Sequence, residues 1–472
     1  MFLTNLKTEL KTLQCWNLIT HYIESALILH SFFSFSTWQY GFIENGFYDE
    51  LDKDQRDQIF SKLFVCIVAL GLSFTSVTGF VIDKYGSWAA RMIGKIFIIT
   101  GIFINMFTTK ELQFLIFPGW ILFVGGGMIC LDTNMYCYIL YNKRMGILSS
   151  LTGVGISIGN LIYLVYKDWC VPYENLQKFW WIMLSFMPLL FLRTFFLMPK
   201  LKVTAEIREV GWSTRNDTYE NFYEKNEAVE KDEKSELKNS IEIKEEKIDI
   251  YAGNTLFKEL FKPQNILLFT FMFLVDLRMA VYYSKFQSWM REVLTNQNLD
   301  VYTEMTSLFN KYVALQSITE PILGLILDKM VSLIKKVYKL ELKKGIACAS
   351  MAAFFVVGVL CAGMSFIHFD ATSEGISVSD FKTHVFYASC TAVTIESLRW
   401  SSKFMFIFTN IDPKFCPRVV SFGTFGMVMS NVAMLFFDFA GRWSEIYFQM
   451  GCVSLVSLIC PVVILYLVIR GP

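Results

Sequence analysis

Charged and amide side chains stand inside otherwise apolar stretches of this chain, where water cannot solvate them. Glu24, Asp132, Asn134, Arg278, Glu396 and Arg399 lead the set, joined by His30, Thr133, Asn160, Asp276, Glu320 and Asn431. A charge at mid-bilayer costs roughly 2.5–3.5 kcal/mol on insertion scales, so it faces a partner or a wet cavity. The chemistry on offer is recognition. A guanidinium holds a carboxylate, a carboxylate holds an ammonium, and Tyr136, Tyr282 or Trp400 can stack on a planar solute. Glu396 and Arg399 are three residues apart on one helical face, so they either pair with each other or bind solute. Asp276 and Arg278, two apart, cannot face each other and each needs an outside partner. Asn160, Glu320 and Asn431 read as interhelical hydrogen bonding, and His30 as a packed helix residue. Nucleophile–base and metal-ligand constellations do not accompany these residues, and Cys66, Cys130, Cys137, Cys348, Cys361, Cys452 and Cys460 are scattered through apolar runs. An enzyme or a metal centre is therefore not expected.

A second pattern repeats along the chain. Gly79-Phe80-Val81-Ile82-Asp83-Lys84-Tyr85-Gly86 closes one apolar run, and Arg91 follows Asp83 by eight residues. Gly324-Leu325-Ile326-Leu327-Asp328-Lys329 closes a later run, and Lys336 follows Asp328 at the same distance. Glycine lets helices approach closely, and an Asp at a helix end can meet a basic side chain or the positive end of a neighbouring helix. Such contacts can break and re-form, which suits a gate. Gly79, Asp83, Lys84, Gly86, Arg91, Gly324, Asp328 and Lys336 are its candidate residues.

The elements that must position these groups are membrane-spanning helices, each needing about 20 mostly apolar residues. The chain is 54% hydrophobic and 18% charged, with a mean hydropathy of +0.42, against about 25% charged residues in soluble domains. Spans 1 to 6 are read at Trp16–Trp38, Ile59–Ile82, Ala89–Thr108, Leu112–Ile139, Met145–Val165 and Phe179–Met198. Spans 7 to 12 follow at Ile266–Tyr283, Met305–Leu327, Gly345–Phe366, His384–Phe408, Val419–Phe437 and Ile446–Ile469. The first run contains His21, Glu24 and His30 and precedes no small-residue cleavage site, so it is a span and not a secretory signal. The expected domains are a terminal segment over 1–15, a six-helix bundle over 16–198, a disordered polar tether over 199–262 and a second bundle over 263–472. The repeated motif then falls six spans apart, marking two related halves.

Lys329, Lys335, Lys336, Lys339, Lys343 and Lys344 crowd the loop after span 8, with Lys84, Lys143, Arg144, Lys414 and Arg418 after spans 2, 4 and 10. The first opposite loop is acidic, with Glu44, Asp49, Glu50, Asp52, Asp54 and Asp57. By the positive-inside rule both termini and the central loop are cytoplasmic. A net charge of +1 with no basic stripe argues against nucleic acid as a partner.

The first motif copy resembles the signature loop of the major facilitator superfamily, Gly-x-x-x-Asp-basic-x-Gly followed by basic residues. Its form, with Gly79, Asp83, Gly86, Ser87, Arg91 and Gly94, is similar to the solute carrier family 43 branch. Glu24, the string Gly46-Phe47-Tyr48 and the string Arg193-Thr194-Phe195-Phe196-Leu197-Met198-Pro199 agree, the last most similar to the branch's nucleobase transporter. The second copy departs, with Val331 where the first has Gly86.

The resemblance implies an all-α fold of about twelve helices in two pseudo-symmetric bundles, with spans 1, 4, 7 and 10 lining a central cavity. It implies facilitative, alternating-access transport of a purine nucleobase or a large neutral amino acid, without cofactor or sodium. On those spans lie the candidate substrate residues Glu24, Asp132, Asn134, Arg278, Tyr282, Glu396 and Arg399. A proton-coupled symporter and a receptor or scaffold without transport are the alternatives. The expected unit is a monomer in the plasma membrane, its partners a small-molecule solute and the lipid bilayer. A protease or tag placed within Thr204–Tyr251 should be accessible from the cytoplasm alone, with Asn216 of the sequon Asn216-Asp217-Thr218 unglycosylated; extracellular labelling of a cysteine at position 232 would reverse the orientation.

Overall fold

The computed structural model describes residues 20, 23–28, 35–139, 154, 166, 176–197, 256–294, 299–340, 342–374, 376–411, 415–434 and 442–470. Span 5, the N-terminal segment, His30, Asn160 and the tether as far as residue 255 lie outside them. All regular structure among the described residues is helical. Among the described residues six helices are long and apolar enough to cross a bilayer: Gln58–Ile82, Lys84–Met106, Gln113–Thr133, Pro263–Phe286, Lys343–Thr372 and Trp443–Arg470. Span 10 forms a helix over Val378–Asn410 and carries Glu396, Arg399 and Lys403. Those three charges are buried inside the protein, so low hydropathy there does not mean exposure to water.

Sequence punctuation explains where the helices stop. The end of span 1 is the helix Phe35–Glu44, after which Gly46 takes φ 71°. The Phe47 amide bonds to the Phe42 carbonyl at 3.0 Å and the Gly46 amide to Ile43 at 3.0 Å, while the Phe42 and Phe47 rings sit 5.2 Å apart. This is the Schellman arrangement with its hydrophobic clasp. The string Gly46-Phe47-Tyr48 is thus a helix stop. Spans 2 and 3 run as helix through Lys53–Met106, broken in conformation at Gly86, with φ 86° and ψ 165°. That region is open essentially to glycine alone.

The second motif copy differs. Span 8 forms the helices Leu299–Ala314 and Gln316–Tyr338, and the latter runs straight through Asp328 and Lys329. Val331, where the first copy has glycine, keeps the chain helical for about two further turns. The expectation of a helix end at Leu327 is therefore corrected. Span 12 is likewise split into Trp443–Ser457 and Ile459–Arg470. The tether is also shorter than expected at its far end, because Leu256–Leu260 is helical. Phe257 and Phe261 stack there, and Asn265 Nδ2 donates to the Glu259 carbonyl at 2.7 Å.

Each half holds a tryptophan-centred aromatic core at the end away from the motifs. Trp38 meets Trp120, Tyr166, Phe179 and Trp180 with ring centroids 4.1–5.4 Å apart. Trp289, on the span 7 helix Pro263–Val293, meets His368, Phe381, His384 and Tyr447 at 4.6–6.1 Å. Such ring pairs contribute about 0.5–1.5 kcal/mol each beyond burial. Span 1 and span 7 occupy the same place in the two repeats, so the halves share a packing plan as well as a motif. Replacing Gly86 with Ala should strain the bend by about 1–3 kcal/mol, read as a lowered melting temperature in detergent, whereas Val331→Ala should cost much less.

Candidate functional site

Four charged side chains converge in the N-terminal half. Glu24 is buried in a helical stretch of span 1, and its two carboxylate oxygens pair with Arg91 and Lys95 of span 3 and Arg193 of span 6. Arg91 also donates to the Thr194 hydroxyl at 3.1 Å, the Thr133 hydroxyl at 3.3 Å and the Cys130 carbonyl at 3.4 Å. It therefore ties spans 1, 3, 4 and 6 together. All four charges are at most 3% exposed. Three cations share one described carboxylate, which is satisfied within the bundle.

At the same face the two halves meet. The Gly79 amide donates to the Ser421 hydroxyl of span 11 at 3.0 Å, and the Arg418 guanidinium lies over the Phe80 ring at 5.2 Å. Span 11, a helix over Cys416–Met434, packs along spans 2 and 3. Among the other motif residues, Gly86 makes the bend, Lys84 is exposed over Tyr85, and the side chain of Asp83 lies outside the described residues. In the second copy Gly324 is buried, Asp328 is half-buried and Lys336 is exposed.

The C-terminal half has its own charge cluster. Arg399 pairs with Asp276 of span 7 and with Glu396 at 2.5 Å. Glu396 also accepts from the Trp400 indole at 2.9 Å. The partner that Asp276 requires is thus Arg399, and the pairing of Glu396 with Arg399 is realised. Arg278 turns elsewhere, donating to the Ser365 hydroxyl at 2.6 Å and lying 3.2 Å from the His368 ring nitrogen. Its guanidinium covers the Tyr447 ring at 5.3 Å. Tyr282 hydrogen-bonds Ser389 at 3.0 Å. Arg278 and Tyr282 therefore sit in the core of the C-terminal half.

One acid and one base stand on different halves. Asp132 of span 4 and Lys403 of span 10 are 4% and 1% exposed, within electrostatic reach of each other. Neither Asp132 Oδ2 nor Lys403 Nζ has a hydrogen-bond partner. Lys403 rests over the half-buried Trp400 ring at 4.8 Å and against Gly423 of span 11. Acid and base thus stand on opposite halves with bonding capacity to spare.

The sequence-derived substrate set is therefore divided. Glu396 and Arg399 come together, Asp132 lies across the halves, Glu24 joins Arg91 of the candidate gating set, Arg278 and Tyr282 pack inward, and the Asn134 side chain lies outside the described residues. Sequence reasoning passed over Lys95 and Lys403. Each follows an arginine by four residues, Arg91 and Arg399, and that spacing on one helical face inside an apolar run was the available signal.

Removing one partner of a buried ion pair costs about 3–5 kcal/mol, because the other charge is left uncompensated. Glu24→Gln should accordingly lower the detergent melting temperature sharply. Lys95→Met, which removes one of three cations, should be neutral or stabilising. Unchanged melting of Glu24→Gln, with lost uptake per delivered molecule, would return Glu24 to the solute site.

The model of the family described as "Sugar (and other) transporter" matches residues 30–287. Among solved structures, the chain resembles the major facilitator superfamily proton:xylose symporter XylE bound to 6-bromo-6-deoxy-D-glucose, with a TM-score of 0.59 and 12% identity over 94% of both chains. A search of curated proteins matches none. The fold is the all-α major facilitator fold. With residues 30–287, more than half of its length, matched by the family model, this chain belongs to the sugar (and other) transporter family.

Proposed function

We propose that the chain is a facilitative, alternating-access carrier of a small zwitterionic solute of the neutral amino-acid class. One observation carries this reading: Asp132 and Lys403 are buried on opposite halves within electrostatic reach of each other, each with an unpartnered polar atom. A solute with a carboxylate and an ammonium group would bridge them, the carboxylate on Lys403 and the ammonium on Asp132. It would also carry an apolar or planar side chain toward Trp400. Binding then supplies the differential contact between states that drives alternation.

The competing solute of the branch, a purine nucleobase, drew its strongest support from the string beginning Arg193-Thr194. Those two residues hold Glu24 and Arg91, so the string serves the ion cluster and says little about solute. A proton-coupled sugar symporter is the second reading, favoured by the family description and by the xylose symporter that shares the fold. In that reading Asp132 would carry the proton. Localisation in the plasma membrane with both termini cytoplasmic is part of the proposal.

The test is uptake into proteoliposomes of radiolabelled leucine, adenine and xylose, with and without a proton gradient. Saturable, gradient-independent leucine uptake is expected. A charge-assisted hydrogen bond contributes about 1.5–3 kcal/mol, so Asp132→Asn and Lys403→Gln should each reduce uptake roughly 10- to 100-fold with melting preserved. Gradient-driven xylose uptake, with leucine excluded, would sink the amino-acid reading in favour of the second.

A further inference from the structure

We infer that the hairpin joining spans 8 and 9 is a docking surface for the headgroups of anionic phospholipids. Three observations meet there. The helix Gln316–Tyr338 projects beyond Asp328, ends at Lys339 in a left-handed conformation (φ 52°, ψ 34°), and the next helix begins at Leu342. Ile326, Met330, Leu333 and Val337 are spaced to form one stripe along the projecting face, with Leu333 and Val337 61% and 60% exposed. Lys329 and Lys336 flank that stripe, with Lys335, Lys339, Lys343 and Lys344 close by in the hairpin, against Asp328 and Glu341 as the acidic residues of the segment. Five of these lysines are exposed and Lys344 is half-buried.

An apolar stripe bordered by ammonium groups at the end of a spanning helix matches the boundary between acyl chains and headgroups. Leu333 and Val337 can enter the boundary, while lysine stems lie along it and place their charges at phosphate level. Four or more bases directly beyond a span are attracted to anionic lipid by a force that falls off within a Debye length. A zwitterionic headgroup, with no net charge, gains little from the same lysines. Charge complementarity therefore selects phosphatidylserine-like or phosphoinositide-like lipid over phosphatidylcholine. The surface lies apart from Asp132, Lys403 and Trp400, so it is independent of the solute assignment.

The experiment uses the full chain in detergent, melted with added phosphatidylcholine, phosphatidylserine or inorganic phosphate. Two triple variants at Lys335, Lys336 and Lys339 accompany it, one to Gln and one to Arg. Mass spectrometry of lipid retained through purification gives a second readout. Phosphatidylserine should raise the melting temperature of the wild type and the Arg variant, and retained anionic lipid should fall about tenfold in the Gln variant. Equal stabilisation by phosphatidylcholine or by inorganic phosphate would overturn the proposal, as would undiminished anionic lipid on the Gln variant.

Discussion

Glu24 sets the electrostatic condition under which the N-terminal half can exist. Arg91, Lys95 and Arg193 enter the protein interior on spans 3 and 6, where each would cost several kcal/mol unpaired. A single carboxylate on span 1 answers all three. The arrangement fixes three spans to one another and, through the bonds from Arg91 to Thr133 and Cys130, a fourth. The bend at Gly86 and the contact of Gly79 with Ser421 are built on this end of the bundle. A gate that must open and close as a unit requires such an internally tied body on at least one side.

The two halves spend their buried charges differently. In the N-terminal half the cluster links spans at the motif-bearing face. In the C-terminal half Asp276, Glu396 and Arg399 close on themselves between spans 7 and 10. In the proposed cycle Asp132 and Lys403 would act between bodies instead of within one, and a ligand that satisfies both charges would favour the state in which the halves approach at this level. Substrate recognition and closure would then draw on the same two groups, turning binding energy into a change of state.

Much of the architecture was legible because bilayer length and glycine punctuation act locally. The all-helical fold, the repeated motif and the exceptional Gly86 follow from residues adjacent in sequence. The partition of the polar residues did not. Glu24 and Asp132 are both acids on spans expected to line a cavity, yet one meets three cations from spans 3 and 6 and the other lies within electrostatic reach of Lys403 of the opposite half. Those partners lie some 70 to 270 positions away along the chain, and only packing brings them together. Span 8 misled for a physical reason as well: hydropathy marks where a helix leaves the lipid, whereas Val331 lets the backbone remain helical beyond that point.

That unbroken rod gives the molecule a mechanical asymmetry. The segment from Asp328 to Tyr338 is a lever arm of about 15 Å by helical rise, rooted in the C-terminal half, while its counterpart folds back at Gly86. When the halves rock, a tilt of about 20°, comparable to the ordinary tilt of a membrane helix, would sweep its tip by about 5 Å. The tip carries lysines, so the sweep drags charge across the membrane surface. On the alternating-access reading, the viscosity and charge of the surrounding leaflet would become a load on one half alone, and turnover would acquire a sensitivity to the host membrane that a solute site by itself would not confer.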